Sequence, residues 1–277
     1  MTGSLQQECR EVLVHRIFRG RDPIREPDVV AVEEPLEIQI GYTAGTRELR
    51  TVSLTMRTPG RDDELAIGFL FTEGILQHPS QISTILRGRN SIRVELAQDV
   101  TVDLPRLERN FFTSSACGVC GKTSIEAVHR KVRALPDEGP VVSAAVIHSL
   151  PEVLLRSQAV FHSTGGLHAS ALIDDAGNLI DLQEDVGRHN ALDKLIGAQF
   201  LKAALPLSRR ILLVSGRASF ELVQKAVAAG IPIMAAVGAP SSLAVDLAAE
   251  SGLTLAAFVR DGRFNVYSGA PRIKEAQ

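Results

Sequence analysis

The sequence predicts an α/β protein in which a mixed sheet, with helices on both faces, follows a smaller α+β unit. Two observations predict this. In the second half, three fully apolar runs at 211–214, 231–237 and 253–259 alternate with helical patterns, as expected for strands buried on both faces. In the first hundred residues apolar and polar residues alternate instead, which is typical of antiparallel strands with one buried face. We place the domain boundary in the linker-like stretch at 135–140, giving domains at 1–138 and 139–277.

Composition limits the class of protein. The chain has 277 residues and 45% hydrophobic content, which is ample for a real core. Its net charge of −2 argues against binding to nucleic acid or to a membrane surface through bulk electrostatics. No apolar run approaches the roughly 18 residues of a membrane-spanning helix, and Met1–Arg10 lacks the apolar centre of a signal peptide. Three cysteines, an odd number, fit a reducing compartment, so we expect a cytoplasmic protein.

The first hundred residues indicate the α+β unit, with no pattern in them that suggests catalysis. Residues 1–30 have mixed charge, two prolines and no clear period, and we expect an irregular or edge-strand arm. Alternation at 36–40 and 52–56, around a glycine-containing turn, predicts an antiparallel hairpin. A helix is predicted to begin at Asp62 and to end at Glu73–Gly74. Further alternation at 92–96 predicts another strand pair.

The second half predicts a helix at 143–157, a hairpin at 169–182 around an Asp-Asp-Ala-Gly-Asn turn, and a helix with one apolar stripe from about residue 188. The remaining strand and helix units complete an order that is similar to the cytidine deaminase fold. A zinc deaminase needs His-x-Glu at one helix start and Pro-Cys-x-x-Cys at the next. Here the two positions read His189-Asn190-Ala191 and Ser215-Gly216-Arg217-Ala218-Ser219. We therefore do not expect deamination. We expect that the nucleotide pocket of this fold is retained for binding.

A Cys-x-x-Cys pair, Cys117 and Cys120, lies in a loop of small residues and glycines. Apolar residues at helical spacing follow it, and Thr123 or Ser124 is suited to cap that helix. The helix N-terminus and the neighbouring lysine would favour the thiolate over the thiol. We interpret the pair as mobile and nucleophilic.

Three other interpretations of the cysteine pair stay open. It could be half of a zinc or iron–sulfur site shared across a dimer, although the sequence has no second Cys-x-x-Cys or Cys/His pair at finger spacing. It could be a thioredoxin-like redox pair, although Thr113-Ser114-Ser115-Ala116 does not look like the buried strand that should precede one. Two inert buried cysteines are a third option, which the flanking glycines disfavour. We predict no intrinsic metal.

Polar loops follow the predicted strands at their carboxyl ends. Ser215, Gly216 and Arg217 follow one strand and 238–242 the next, where open α/β sheets collect ligands and helix starts bind phosphate. Ordinary tight turns with serine caps are the alternative. With Gly187-Arg188-His189, these loops favour a nucleotide-like ligand. Asp185 would accept hydrogen bonds from a guanine or sugar edge, or it would simply cap a helix.

The histidines near these loops are interpreted as polar residues around a pocket. His162 and His168 are separated by a Gly-Gly turn and lack a nearby carboxylate at ligand spacing, which argues against a metal site. His168 or His189 could assist proton transfer.

Five separated motifs, in this order, resemble the formate dehydrogenase accessory sulfurtransferase family (FdhD/NarQ). The resemblance runs from about residue 30 to the C-terminus and includes the segments at 68–70 and 73–75. The motifs are Ser-Ala-Cys-Gly-Val-Cys-Gly at 115–121, Phe-His-Ser-Thr-Gly-Gly-Leu-His at 161–168, Glu-Asp-Val-Gly-Arg-His-Asn-Ala-Leu-Asp-Lys at 184–194, Ser-Gly-Arg at 215–217 and Phe-Val-Arg-Asp-Gly-Arg at 258–263.

The resemblance implies a sulfur-transferring protein with a deaminase-like domain, similar to cytoplasmic homodimers. Such a protein takes persulfide sulfur from a cysteine desulfurase and passes it to the molybdenum or tungsten bis-pterin guanine dinucleotide, which then enters formate dehydrogenase. Cys117 matches the persulfide-carrying cysteine and Cys120 its partner. The family's cofactor-binding segment matches Phe258, Val259, Arg260, Asp261, Gly262 and Arg263.

The residues suit this chemistry on independent grounds. The second cysteine of a persulfide pair can attack the inner sulfur and release the outer one, leaving a disulfide. Arg217, Arg260 and Arg263 could hold the phosphates of a dinucleotide. Two other functions stay open at this point: a chaperone that binds the cofactor without transferring sulfur, and a thiol–disulfide oxidoreductase.

Overall fold

The computed structural model describes residues 8–98, 100, 134–136, 139–260 and 262–275. These form two main sheets, two two-stranded sheets and their helices. The strands are β1 Cys9–Arg16, β2 Ile24–Ala31, β3 Glu34–Ala44, β4 Thr46–Arg57, β5 Ile82–Arg87, β6 Ser91–Leu96, β7 Val142–Ser143, β8 His168–Ile173, β9 Leu179–Asp185, β10 Ile211–Val214, β11 Ile233–Ala236, β12 Thr254–Arg260, β13 Arg263–Ser268 and β14 Ile273–Lys274. The helices are α1 Asp62–Thr72, α2 Ala144–Ser157, α3 Ala159–Thr164, α4 Arg188–Leu201, α5 Phe220–Ala228 and α6 Ser242–Ser251.

The larger sheet has the order β13-β12-β11-β10-β8-β9. Its central strands β10, β11 and β12 are parallel, and β8, β9 and β13 pair antiparallel with their neighbours. One face packs on α4, α5 and α6 through a cluster that includes Leu195, Leu222 and Leu247. The other face packs on α2 through Ile147 and Leu150. The three apolar runs are therefore strands of a mixed sheet with helices on both faces, as predicted.

The smaller sheet has the order β4-β3-β6-β5. The predicted hairpin is β3 and β4, antiparallel, and β6 pairs parallel with β3. Leu36, Ile38 and Ile40 point to one face, where they pack with Leu65 and Leu70 of α1. In the described part of the amino-terminal arm, β1 and β2 form an antiparallel ribbon, which agrees with the strand alternative of the prediction.

Helix α4 differs from its sequence prediction. A single apolar stripe was expected, but every residue from His189 to Phe200 is buried. The cause is that α4 lies between both cores: Leu192 and Leu195 pack with the larger sheet, and Phe200 packs with the smaller one. Sequence periodicity reports one buried face and does not reveal that a second helix covers the polar face as well.

Glycines allow α1 and α4 to cross at close range. A Cβ built on Gly68 would lie 1.9 Å from the carbonyl oxygen of Asp193, and one built on Gly197 would lie 1.8 Å from the carbonyl oxygen of Glu64. Neither position tolerates a side chain without moving a helix backbone.

The division at 138/139 stays a prediction, but α1 and α4 join the two sheets at this crossing. None of the described helices is long and apolar enough to cross a bilayer.

We expect Gly68→Ala to destabilise the protein strongly, because its methyl group would overlap backbone atoms of α4. Overpacking that forces such shifts costs about 1–3 kcal/mol, and backbone overlap belongs at or above the top of that range. The free energy of unfolding in urea measures it. Gly139→Ala is the control, because its Cβ would meet its nearest neighbour, Arg272 Nε, at an ordinary 3.5 Å. Equal unfolding midpoints for the two variants would contradict the close crossing.

Candidate functional site

The carboxyl ends of β10 and β11 meet at one edge of the larger sheet, where the two predicted ligand loops lie side by side. The amide of Gly238 donates to the carbonyl of Gly216 at 3.0 Å, and the amide of Ala218 donates to the carbonyl of Ala239 at 3.1 Å. A Cβ on Gly238 would lie 3.0 Å from the Gly216 carbonyl oxygen. The loops are therefore packed backbone to backbone, with Arg217 exposed beside them.

His168 reaches the same edge because β8 runs antiparallel to β10 and begins where β10 ends. The hydroxyl of Ser215 accepts the amide of Ala169 at 2.9 Å, and the Ser215 amide donates to the Ala169 carbonyl at 3.0 Å. A Cβ on Gly216 would lie 3.3 Å from His168 Nδ1 and 4.0 Å from Arg188 Cδ. Gly216 thus leaves room for the imidazole and the arginine stem.

The electrostatics of this edge favour the uncharged form of His168. Burial lowers the pKa of His168, the positive charge of Arg188 lowers it further, and Asp185 opposes the shift. The Nε of Arg188 is itself buried and has no hydrogen-bond partner in the described part of the chain. A neutral imidazole can donate from one ring nitrogen and accept at the other, which suits contact with a polar ligand.

A cavity of about 510 Å³ opens beside His168 and Ser215, between the sheet edge and helices α2 and α3. Most of its wall is apolar, and Gln158, at the junction of the two helices, adds a polar group. Sequence reasoning did not single out Gln158, because a lone glutamine between helical segments gives no periodic or motif signal. Its place in the cavity wall is visible only in the structure.

Asp185 is fully buried, and donors from the chain surround its carboxylate. Oδ1 accepts from the Gly187 amide at 2.8 Å and from Asn190 Nδ2 at 3.1 Å, and Oδ2 accepts from the Thr58 amide at 3.2 Å. The ammonium of Lys194 lies 2.7 Å from Oδ2. Asp185 therefore bonds to the residue before α4 and to the side chain of Asn190, and not to a first-turn amide as a helix cap would.

Lys194 and Thr58 extend this contact to the smaller sheet. The Lys194 ammonium donates to the Thr58 carbonyl at 2.9 Å, and the Val186 amide donates to the Thr58 hydroxyl at 3.1 Å. Thr58 follows β4 directly. The end of β4 is thereby fixed against the start of α4, next to the sheet edge.

His189 points into the protein instead of into the cavity. Its Nε2 lies 3.3 Å from the Ser219 hydroxyl and 3.6 Å from Glu221 Oε2.

The ammonium of Lys225 lies 3.7 Å from the other Glu221 oxygen and 2.9 Å from Asp193. Burial raises the pKa of Asp193 to about 6, although Lys225 opposes the shift. Burial alone would lower the pKa of Lys225, but Asp193 and Glu221 raise it, so Lys225 stays charged.

The segment Phe258–Arg263 contains a strained residue. Phe258 has φ 56°, in the left-handed region, and its amide donates to the Gly238 carbonyl at 3.2 Å. Such strain costs of order 1–3 kcal/mol and occurs preferentially at ligand-binding sites. Val259 is buried in the core, and the Arg260 guanidinium lies 6.0 Å from the centre of the Phe258 ring.

The structure does not bring all predicted site residues together. Gly262 has φ 70° in the turn after β12, and Arg263 lines a different cavity of about 360 Å³ beside His148 and Phe264. Asp261, Cys117 and Cys120 lie outside the described residues. Their predicted roles, like the other site assignments, stay predictions.

The described residues contain one cysteine, Cys9 at the start of β1, and no group of three or more metal-ligating side chains. Burial raises the pKa of the Cys9 thiol, and the carboxylates of Glu8 and Glu184 raise it further. The thiolate is the reactive form of cysteine. Cys9 is therefore a poor nucleophile.

Comparisons with known proteins agree on one family. A sequence model of the FdhD/NarQ family matches residues 31–274. Curated proteins named "Sulfur carrier protein FdhD" are similar to this chain: that of Streptomyces coelicolor is 50% identical, and that of Streptomyces avermitilis 49%, each over 93% of this chain and 94% of the relative. The crystal structure of a formate dehydrogenase accessory protein from Desulfotalea psychrophila is similar with a TM-score of 0.73 and 27% identity, covering 96% of this chain and 98% of that one.

We expect Lys194→Met to destabilise the protein by about 3–5 kcal/mol, because it leaves the Asp185 carboxylate buried without its cation. The free energy of unfolding in urea is the measurement. Lys202→Met is the matched control, because the ion pair of Lys202 with Asp181 is exposed and such pairs contribute at most about 1 kcal/mol. Similar losses for both variants would show that the buried pair does not organise this edge.

His168 should titrate below its ordinary pKa of 6.5, as measured by NMR of the imidazole carbons. Arg188→Gln should raise its pKa, because a positive neighbour is lost, and exposed Arg217→Gln should leave it unchanged. As the pH falls, His168 takes up its proton in the unfolded chain at a higher pH than in the folded chain. The stability that the uncharged His168 contributes to the folded chain is therefore present above pH 6.5 and is lost as the pH falls toward the folded-state pKa. A His168 pKa at or above 6.5 would contradict the geometry.

Proposed function

Because this chain belongs to the FdhD/NarQ family, we propose that it is a sulfurtransferase that matures formate dehydrogenase. In this proposal Cys117 and Cys120 accept persulfide sulfur from a cysteine desulfurase. The sulfur then passes to the molybdenum or tungsten bis-pterin guanine dinucleotide, a substrate that the protein binds and releases. The observation that most directly supports the proposal is identity near 50% with proteins named sulfur carriers, over more than 90% of both chains. The accessory protein of similar fold supports the connection to formate dehydrogenase.

The cysteine chemistry can be written in balanced steps. The Cys117 thiolate attacks the outer sulfur of the desulfurase persulfide, the S–S bond of the donor breaks, and the donor cysteine leaves as a thiolate. The Cys120 thiolate then attacks the inner sulfur of the Cys117 persulfide, forming a Cys117–Cys120 disulfide and releasing hydrosulfide to the metal centre. A dithiol reductant must afterwards reduce the disulfide and supply two electrons. Cys9, with its raised pKa, takes no part.

The sheet edge supports binding of a nucleotide-containing substrate. Two loops of small and polar residues, His168 and the strained Phe258 lie there, and ligands of open α/β sheets collect at carboxyl ends of strands. The strand order β9-β8-β10-β11-β12, with β8 antiparallel to β10, fits the proposed deaminase-like fold. In the described residues the helix starts that would hold zinc in a deaminase provide no ligand set, so we propose binding without deamination.

The remaining parts of the proposal follow from the family resemblance. We propose that the protein acts in the cytoplasm as a homodimer, with the cysteine desulfurase as sulfur donor and formate dehydrogenase as client.

Mass spectrometry after incubation with free cysteine and a cysteine desulfurase tests the proposal. The Cys117 peptide should gain one sulfur atom, about 32 Da, that reductant removes. Cys117→Ala should abolish the gain, because the accepting thiolate is lost. Cys9→Ala is the matched control and should take up sulfur like the unaltered chain, because the Cys9 thiol stays protonated. Cys120→Ala should accumulate the Cys117 persulfide, because no second thiolate releases the sulfur.

Each alternative gives a different result. Binding of the dinucleotide cofactor without sulfur on either cysteine would overturn sulfur transfer in favour of a cofactor-binding chaperone. Reduction of unrelated disulfides without any desulfurase would favour a thiol–disulfide oxidoreductase. Sulfur on Cys9 in place of Cys117 would contradict the assignment of the carrier residue.

A further inference from the structure

The two-stranded sheet of β1 and β2 forms an arm that carries exposed apolar side chains. Leu13 is 62% exposed and Ile17 is 70% exposed, and Phe18 and Ile24 are exposed as well. No third strand among the described residues pairs with either edge of the arm. A two-stranded hairpin is only marginally stable in water on its own, and exposed apolar patches mark interaction sites. The arm therefore has the character of a docking element.

The outer half of the arm is positively charged. Residues 15–26 contain four arginines and two carboxylates, although the whole chain has a net charge of −2. Arg16 pairs with Glu26 at 2.6 Å. The other three, Arg19, Arg21 and Arg25, are exposed and make no hydrogen bond or ion pair with another described residue. Arginine and aromatic side chains are enriched where proteins bind one another. The complementary partner surface is acidic, with apolar side chains between its carboxylates.

The base of the arm is attached beside the edge of the larger sheet at which the substrate is proposed to bind. Strand β2 packs on α3, and a Cβ built on Gly166, just before β8, would lie 3.8 Å from the Cβ of Ala31. The carbonyl of Glu8, just before β1, accepts the Val32 amide at 2.8 Å. The Glu8 carboxylate interacts electrostatically with Glu184, near the end of β9. The start of β8 and the end of β9 thus connect the arm to this edge.

We propose that the outer part of this arm, residues 13–26, docks on an acidic and apolar surface of the client, formate dehydrogenase. The inference rests on the proposed function. An enzyme that accepts a bound cofactor has to approach the edge at which that cofactor is held, and the arm is attached there. The docking segment has 14 residues, fewer than the roughly 20–30 that each partner contributes to a stable interface. A contact of this size suits a client that leaves after each delivery.

Two other occupants fit the arm less well. Its apex, Arg19-Gly20-Arg21-Asp22, is charged, so the apolar side chains on either side of the apex reach a bilayer core only if these charges enter it too, which is costly. A symmetric contact between the arm tips of two copies of the chain would bring groups of the same positive sign together. Like charges repel across an interface.

Binding of the full chain to purified, cofactor-free formate dehydrogenase tests the proposal. Arg21→Glu should weaken binding about tenfold at low ionic strength, mainly by slowing association. The loss should shrink as salt screens the charges. Arg209→Glu is the matched control, because Arg209 is exposed and precedes β10, at the opposite end of the strands from the edge. This control should bind like the unaltered chain.

A second variant tests the apolar part of the docking segment. Ile17→Ser should raise the rate of dissociation from formate dehydrogenase about tenfold, because an apolar anchor of the contact is lost. Ile180→Ser is its control: Ile180 is also exposed, but it lies near the start of β9, away from the edge at which β9 ends. All four substituted residues are exposed, so the variants should keep the unfolding temperature of the unaltered chain.

Absence of binding to formate dehydrogenase, or equal binding by the arm variants and their controls, would overturn the proposal. It would also be overturned if the arm variants instead lose affinity for the cysteine desulfurase, for a second copy of the chain, or for vesicles of equal parts phosphatidylcholine and phosphatidylglycerol. Sulfur uptake by Cys117 is measured separately on the same proteins. Uptake without arm-dependent client binding refutes this inference alone, and arm-dependent client binding without uptake refutes sulfur transfer alone.

Discussion

The buried contact of Asp185 with Lys194 is the interaction on which the sheet edge depends. Both groups have left water almost completely, and their attraction repays that cost only because the remaining lone pairs and protons are used. Asp185 takes donors from the start of α4, and both Asp185 and Lys194 bind the backbone of Thr58. One ion pair thus fixes the end of β4, the end of β9 and the first turn of α4 together. The crossing of α1 and α4 at Gly68 and Gly197 continues this attachment along the helix.

Because the Asp185–Lys194 pair holds it rigidly, the edge of the larger sheet can keep features that are energetically unfavourable on their own. Phe258 is held in the left-handed region, and the Gln158 amide and Arg188 Nε are buried without partners in the described residues. Each would relax if the neighbouring backbone could move. For Phe258 the packed loops oppose that movement, because Gly238 is bonded to Gly216 and accepts the Phe258 amide. The unfavourable groups lie around the proposed substrate site, where binding can compensate them.

The sequence predicted most of the fold because its signals are local. Fully apolar runs gave the central strands, alternation gave β3 and β4, and Asp62 marked the start of α1. What it missed depends on contacts distant in sequence. The burial of α4 on all sides requires α1. The hydrogen bonding of the Asp185 carboxylate inside the protein requires Thr58, 127 residues earlier. Gln158 is a further case, because only the three-dimensional surroundings show that a buried amide is unpaired. The cysteine pair was recognised from its motif alone, and Cys117 and Cys120 lie outside the described residues.

The first turns of α4 and α5 are the positions at which the proposed deaminase-like order would place zinc ligands, and the described residues there form no ligand set. A zinc deaminase directs thiolates, an imidazole and a glutamate from these two helix starts to a metal-bound water. Here His189 contacts Ser219 and Glu221, and the positive charge next to Glu221 is the ammonium of Lys225. Lys225 also pairs with Asp193 and bonds to the Thr72 hydroxyl of α1 at 3.0 Å. The side chains at these helix starts therefore join α1, α4 and α5, so that their charges serve to hold the three helices together.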